Sequence, residues 1–104
     1  MANSGPADEE TPGGAGPMDQ AAVSTLVDAA AKGDQAAWDR LVQRFTGLVW
    51  SVTRSLGLSG DDAKDVFEAT WLRLIERIDR IDDPDRLGVW LTDTARHEAA
   101  LRSR

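Results

Sequence analysis

The apolar residues of this chain recur at the three- and four-residue spacing of an amphipathic α-helix. The longest such stripe follows Asp34, and its members are Trp38, Leu41, Val42, Phe45, Leu48, Val49, Val52 and Leu56. No segment alternates apolar and polar residues as a half-buried strand does. The pattern therefore predicts an all-α fold.

Capping residues and glycines divide the pattern into helices predicted at residues 20–32, 35–56, 60–80 and 84–103. Asp19 and Asp34 stand where the first two helices need an N-cap, because a short carboxylate accepts from the free N–H groups there. Gly33 and Gly57 stand where the same helices should end. Short loops between four helices predict a compact bundle over residues 20–104.

The last two helices carry their own start signals. Ser59 followed by Asp62 is typical of a capping box. Pro84 fits the first position of the last helix, after Asp83 as its cap. The predicted inner face of the third helix is Ala63, Val66, Phe67, Thr70, Trp71, Leu74, Ile75 and Ile78. That of the last helix is Leu87, Trp90, Leu91, Thr94, Ala95 and Leu101.

The segment 1–19 differs in amino-acid composition from the rest of the chain. It is rich in Gly and Pro, contains four acidic residues and no Lys or Arg, and shows no apolar period. Such a composition cannot offset the entropy of ordering, so we predict a disordered acidic tail. The whole chain has a net charge of -6, which argues against a strong nonspecific polyanion binder. The stretch from Arg86 to the end is nevertheless locally basic, with four arginines against two acids.

Composition narrows the possible chemistry. The chain has Cys 0 and His 1, so neither a thiolate metal site nor a catalytic thiol can form. The acids at 61, 62 and 65 stand at a helix start, where they complement the helix dipole, so we predict no metal site, no cofactor and no enzymatic activity. No apolar run is long enough to span a bilayer and no signal pattern opens the chain, which favours a cytoplasmic protein without membrane insertion.

Two aromatic side chains admit more than one interpretation. Periodicity favours a core position for Trp90, with a stacking platform for a base as the alternative. Trp50 falls off its helix stripe, which indicates an exposed side chain or one shared with a neighbouring helix. For His97, a surface or half-buried position is favoured over contact with a nucleic-acid base.

The outer face of the third helix is also open to two interpretations. Asp65, Glu68 and Arg73 lie away from the apolar stripe. They form either a solvated face or a row of charges that docks a basic partner helix. The residues alone do not decide between the two.

The order of four segments resembles a known family. These are Gly-Asp-Gln-Ala-Ala-Trp at 33–38, the stretch 45–56, Asp-Asp-Ala-Lys-Asp-Val-Phe-Glu-Ala-Thr-Trp-Leu-Arg-Leu at 61–74 and Trp-Leu-Thr-Asp-Thr-Ala-Arg-His at 90–97. Together they resemble region 2 of bacterial sigma-70-family factors, specifically the extracytoplasmic-function (ECF) type, over about residues 21–104.

The resemblance implies a role in transcription initiation. In that family the third helix docks on the clamp helices of the RNA polymerase β′ subunit, which would make Asp65, Glu68 and Arg73 polymerase contacts. The loop 80–88 and the start of the last helix would bind the promoter −10 element on the non-template strand, around a flipped base. The implied DNA-binding residues are Arg80, Arg86, Trp90, Arg96 and His97.

Some positions depart from the family pattern. The family usually has Gln where Glu68 stands, and often Asn or Arg where His97 stands. The loop carries Asp82, Asp83 and Asp85, which oppose a phosphate backbone unless they cap the helix and point away. A second hypothesis is therefore a protein–protein module that an anti-sigma factor sequesters, with little DNA reading. The family also continues into a second helical domain that reads the −35 element, so we expect region 2 alone to recognise promoters weakly.

Overall fold

The computed structural model describes residues 22–102, and these residues form an all-α bundle without a strand. Its α-helices are α1 (Val23–Ala31), α2 (Gln35–Ser55), α3 (Gly60–Arg77) and α4 (Leu87–Arg102). Two 3₁₀ turns, Ile78–Arg80 and Pro84–Arg86, lie between α3 and α4. The predicted fold class is confirmed, while the predicted tail at 1–19 lies outside the described residues.

Local signals explain where α2 and α3 begin. The carboxylate of Asp34 accepts hydrogen bonds from the backbone N–H groups of Ala36 at 3.0 Å and Ala37 at 3.2 Å. The hydroxyl of Ser59 accepts from the backbone N–H of Asp62 at 3.3 Å. Each contact satisfies donors that the first turn of a helix leaves free. The predicted N-caps Asp34 and Ser59 are therefore confirmed.

Three predicted boundaries, at residues 20, 80 and 84, lie three residues from the ends of the α-helices, and at 80 and 84 a 3₁₀ turn fills the difference. The first helix begins at Val23 with Ala22 as N-cap and no side-chain cap bond, while the predicted cap Asp19 lies outside the described residues. The third helix changes to the tighter 3₁₀ form after Arg77. Before α4, Asp83 makes no side-chain cap bond; its carbonyl accepts from the N–H of Arg86 at 2.9 Å and closes a 3₁₀ turn instead.

The helices enclose two groups of buried apolar side chains. The larger group gathers residues from every helix and consists of Leu26, Val27, Ala37, Leu41, Val49, Trp71, Leu74, Leu87 and Leu91. The smaller group consists of Val52, Val66, Ala95 and Ala99. Because the second group contains only small side chains, α4 can lie close to both α2 and α3 there, which fixes its position over the site described below.

Aromatic rings form a continuous chain between α2 and α3. Trp38 meets Trp71 edge to face with ring centroids 6.5 Å apart, and Trp71 meets Phe67 at 6.0 Å. Phe67 in turn stacks on Trp50, with centroids 4.1 Å apart and planes 11° apart. Of the two interpretations of Trp50, the structure supports the one in which a neighbouring helix shares its side chain.

Some predicted inner-face residues are exposed. Ile75 and Leu101 are 54% and 52% exposed. Ile75 follows the fully buried Leu74 by one residue, a rotation of about 100° that carries it out of the interface. Leu101 follows the buried Ala99 by two residues, which places it on the other side of α4. The predictions for these two side chains were wrong.

Candidate functional site

One side of α3 is free of contacts with the bundle core and combines acids with apolar side chains. We call Asp65, Glu68, Leu72 and Ile75 the outward face of α3, because steps of three and four place them on one side of the helix. All four are exposed, and Leu72 is 58% exposed. The outward face therefore combines exposed apolar area with negative charge.

A small pocket adjoins the outward face. It has a volume of about 260 Å³ and lies between the α1–α2 connection and α3, lined by Ala30, Gly33, Asp34, Gln35, Trp38, Ile75 and Ile78. Ile75 belongs to both the outward face and this pocket. The exposed apolar surface therefore continues from α3 toward the half-buried ring of Trp38.

Arg73, predicted beside Asp65 and Glu68, is turned toward α4. Its Nε donates to the carboxylate of Glu98 at 3.0 Å, and its Nη1 donates to Glu76 at 3.3 Å. The structure thus brings Asp65 and Glu68 together on the outward face and places Arg73 at the edge between α3 and α4.

A groove of about 390 Å³ runs between α3 and α4. This α3/α4 groove is lined by Arg73, Arg77, Trp90, Asp93, Thr94, His97 and Glu98. Trp90 is half-buried: it packs against the larger core group, as the favoured interpretation predicts, and it also lines the groove. His97 is exposed at the groove, a position that is compatible with both interpretations of this side chain.

A second groove of about 370 Å³ follows the turns that lead into α4. This loop groove is lined by Arg77, Arg80, Ile81, Asp82, Asp83, Arg86, Val89, Trp90 and Asp93. It brings the predicted DNA contacts Arg80, Arg86 and Trp90 together, and Trp90 belongs to both grooves. Arg80 is held in place by a hydrogen bond of 3.2 Å from its Nη2 to the carbonyl of Glu76.

Arg96 is separated from the other predicted DNA contacts. It is exposed on α4 but lines neither groove. Six residues, or about 600° of helical rotation, place Arg96 on a different side of α4 from Trp90. A partner that contacts Arg96 and the grooves together must pass around the helix.

Both grooves balance positive and negative side chains. In the α3/α4 groove, Arg73 and Arg77 face Asp93 and Glu98. In the loop groove, the three arginines face three aspartates, including Asp82 and Asp83, which line the groove. Because phosphate binding depends on excess positive charge, such grooves suit neutral groups such as bases better than a sugar–phosphate backbone.

Glu98 is a site residue that the sequence analysis missed. It is only 3% exposed, and its carboxylate accepts from Arg73 on α3 and from Nη1 of Arg102 at 2.8 Å. The hydrogen bond from Arg102 holds the pKa of Glu98 below its usual value; burial opposes this, and Arg73 adds to it. The bond to Glu98 likewise raises the pKa of Arg73.

The sequence does contain a signal for this ion pair. Glu98 follows Leu91 by seven residues and Ala95 by three, so helical spacing places it on the buried stripe of α4. An acid on such a stripe requires a cationic partner, and Arg102 stands one turn later. Only the structure identifies Arg73 as the second partner.

Other kinds of site were also sought. Within residues 22–102, no three His, Asp or Glu side chains come close enough together to hold a metal ion. None of the helices in that range has the length and apolar character of a membrane span.

A family comparison covers the elements that form this site. The family model for sigma-70 region 2 matches residues 41–104, which include most of α2, all of α3, both turns and α4. No curated protein and no solved structure matches the chain. The match spans more than half of the sequence and includes the outward face and both grooves. The chain therefore belongs to the sigma-70 region 2 family.

Proposed function

We propose that this chain is region 2 of an ECF-type sigma factor, which acts in the cytoplasm by binding rather than catalysis. It binds core RNA polymerase through α3 and recognises and melts the promoter −10 element through the 80–88 loop and α4. The observation that carries the proposal is the family match over 41–104, a span that presents two separate surfaces of different chemistry.

The outward face of α3 is the proposed polymerase surface. Its partner is the pair of β′ clamp helices, with Asp65 and Glu68 contacting basic side chains. Leu72 and Ile75 lose exposed apolar area when the helices dock, which contributes about 25 cal/mol per Å² removed from water. Arg73 contributes at the edge of this surface, where one of its N–H groups already binds Glu76.

The two grooves are the proposed DNA surface. Trp90 offers part of its ring for stacking to an unpaired base of the non-template strand, and His97 offers a hydrogen bond to the base edge. Arg80 and Arg86 are exposed beside the loop groove, and they contact the phosphates of the strand while its base occupies the groove. Arg96 contacts the backbone from the adjacent side of α4.

The polymerase contact is tested with a β′ clamp-helix fragment and the variant Asp65→Arg. Reversal of charge on the outward face should weaken binding by about tenfold or more. Asp39→Arg is the matched control, because Asp39 is an exposed acid on α2 that lies outside the outward face. Equal affinity of Asp65→Arg and the unmodified chain would refute the polymerase part of the proposal.

The DNA contact is tested by fluorescence anisotropy with single-stranded −10-type oligonucleotides at modest salt. We expect saturable, sequence-dependent binding that Arg86→Ala and Trp90→Ala both weaken. Arg86 is exposed, so its variant keeps the fold and separates lost binding from lost structure. Binding that does not depend on base sequence would refute the promoter-reading part of the proposal.

The carboxylates in both grooves favour one alternative. Asp82, Asp83 and Asp93 oppose a phosphate backbone, as expected of a module whose main partner is an anti-sigma factor. Tight binding to an anti-sigma factor, with no sequence-dependent oligonucleotide binding, would support this alternative over the promoter-reading role.

A further inference from the structure

The carboxylate of Glu98 accepts hydrogen bonds from two arginines at once. Arg73 reaches it from α3 at 3.0 Å and Arg102 reaches it from one turn along α4 at 2.8 Å. The side chain of Glu98 is 4% exposed, whereas those of Arg73 and Arg102 are 46% and 33% exposed. The acid is therefore enclosed, while both cations remain open to solvent.

Stability alone is a weak explanation for this arrangement. Taking a carboxylate out of water costs nearly as much as its ion pairs return, so apolar residues of similar size often replace such groups without loss. Sequence spacing places Glu98 on the same stripe as Leu91 and Ala95, where an apolar side chain would pack. The acid at this position has an electrostatic consequence that an apolar residue would not have.

That consequence concerns the α3/α4 groove. Without the charge of Glu98, the lining of the groove would hold Arg73 and Arg77 against the single carboxylate of Asp93, and Arg73 would keep only its exposed contact to Glu76. A surface with excess arginine binds any phosphate backbone, whatever its base sequence. With Glu98 ionised, the charges of the groove lining are balanced, and Arg73 in that lining and Arg102 outside it are both engaged by the acid.

We propose that Glu98 is an internal counter-ion that withholds Arg73 and Arg102 from nucleic-acid phosphates, so that the α3/α4 groove favours bases over backbone. Glu98 is a positioning residue in this role, because it acts through the two arginines and touches no DNA. The inference rests on the proposed function for its setting, since it assigns selectivity to the same DNA-facing surface.

The test measures binding of the full chain to a scrambled single-stranded oligonucleotide between low and moderate salt. Glu98→Gln should tighten this binding about threefold to tenfold. Its salt dependence should steepen by about 0.7 to 1.4 in log–log slope, the value for one or two added phosphate contacts to a single strand. Binding to the −10-type oligonucleotide should tighten less, so the preference of the chain for this sequence over the scrambled one should fall.

Glu76→Gln is the matched control, because it removes the same charge from a neighbouring partner of Arg73 that is itself 58% exposed. Its effect on scrambled DNA should be less than half that of Glu98→Gln. Equal effects of the two variants, or weaker scrambled binding by Glu98→Gln, would overturn the proposal.

A second measurement does not depend on how Glu98→Gln folds. With Glu98 present, Arg102→Gln should leave scrambled-DNA binding within about twofold, because Arg102 is held by Glu98 and makes no phosphate contact. In the Glu98→Gln background the same change should remove much of the gain. A several-fold loss from Arg102→Gln alone would also overturn the proposal. If the proposed function itself is wrong, the result is different: the unmodified chain then binds −10-type and scrambled DNA equally.

Discussion

Leu72 and Leu74 lie two residues apart on α3, yet Leu74 is fully buried and Leu72 is 58% exposed. Two residues correspond to about 200° of rotation, so the two side chains point to nearly opposite sides of the helix. Leu74 belongs to the larger core group, while Leu72 lies among Asp65 and Glu68. The same side chain thus serves folding at one position and is free for a partner at the other.

The two sides of α3 also treat polar groups differently. On the inner side the buried hydroxyl of Thr70 donates to the carbonyl of Val66 at 2.7 Å, so this polar group is satisfied within α3. On the outward face the carboxylates of Asp65 and Glu68 remain exposed. Mutations on the inner side should therefore change stability, and mutations on the outward face should change binding.

Truncation of the two leucines is the strongest test of this difference. Leu74→Ala should lower the free energy of unfolding by about 2–5 kcal/mol, because it leaves a cavity in the core. Leu72→Ala should lower it by no more than about 0.5 kcal/mol. Urea unfolding followed by far-UV circular dichroism measures both, and similar losses in the two variants would contradict the division of α3.

Glu98→Ala extends the comparison to the boundary between α3 and α4. It should lower the free energy of unfolding by about 1–3 kcal/mol, because it removes the partner of two arginines. The loss stays below that of a fully buried pair, since both cations reach water. Glu76→Ala removes only an exposed contact to Arg73 and should cost less than about 0.5 kcal/mol in the same unfolding experiment.

The pH dependence of stability should reveal the same carboxylate. Because the pKa of Glu98 is lower in the folded chain, its contribution is fully present above the unfolded value, about 4.3, and is lost as the pH falls through the folded value. Urea midpoints measured from neutral pH down to about 3 should fall less steeply for Glu98→Gln than for the unmodified chain. Identical profiles would show that Glu98 contributes nothing through its charge.

The smallest expected effects on stability concern two glycines, Gly47 within α2 and Gly57 just after its end. Gly57 has a φ of 69°, so Gly57→Ala should cost about 1 kcal/mol of strain. Gly47 lies inside α2, and a Cβ added there meets nothing within 4 Å. Gly47→Ala should therefore stabilise the chain by about 0.5–1 kcal/mol, measured as a rise in thermal midpoint.

Features set by neighbouring residues were predictable from the sequence. The cap at Asp34, the turn at Gly57 and the alternation of inner and outer residues on α3 depend on contacts within a few positions. The helix count followed because each such signal marks one boundary. The positions of Asp65 and Glu68 on a common exposed face followed from the same periodicity.

Features set by distant residues were not predictable. Glu98 binds Arg73, which lies 25 positions earlier, so the orientation of this arginine cannot be derived from local spacing, although the spacing along α4 does place the acid on the buried stripe. The 3₁₀ turns before α4 also depend on packing, because α1 contacts both of them. The positions of Asp82 and Asp83 along the loop groove follow from that packing.

The aromatic chain of α2 and α3 gives the molecule a built-in optical reporter. The sequence has Tyr 0 and Trp 4, so near-ultraviolet emission comes from indoles alone. Trp38, Trp50 and Trp71 are coupled through ring contacts in the described bundle, while Trp90 borders the grooves. A ligand that quenches the emission of Trp90 and leaves that of Trp38, Trp50 and Trp71 unchanged must bind beside Trp90. No attached dye is needed to detect it.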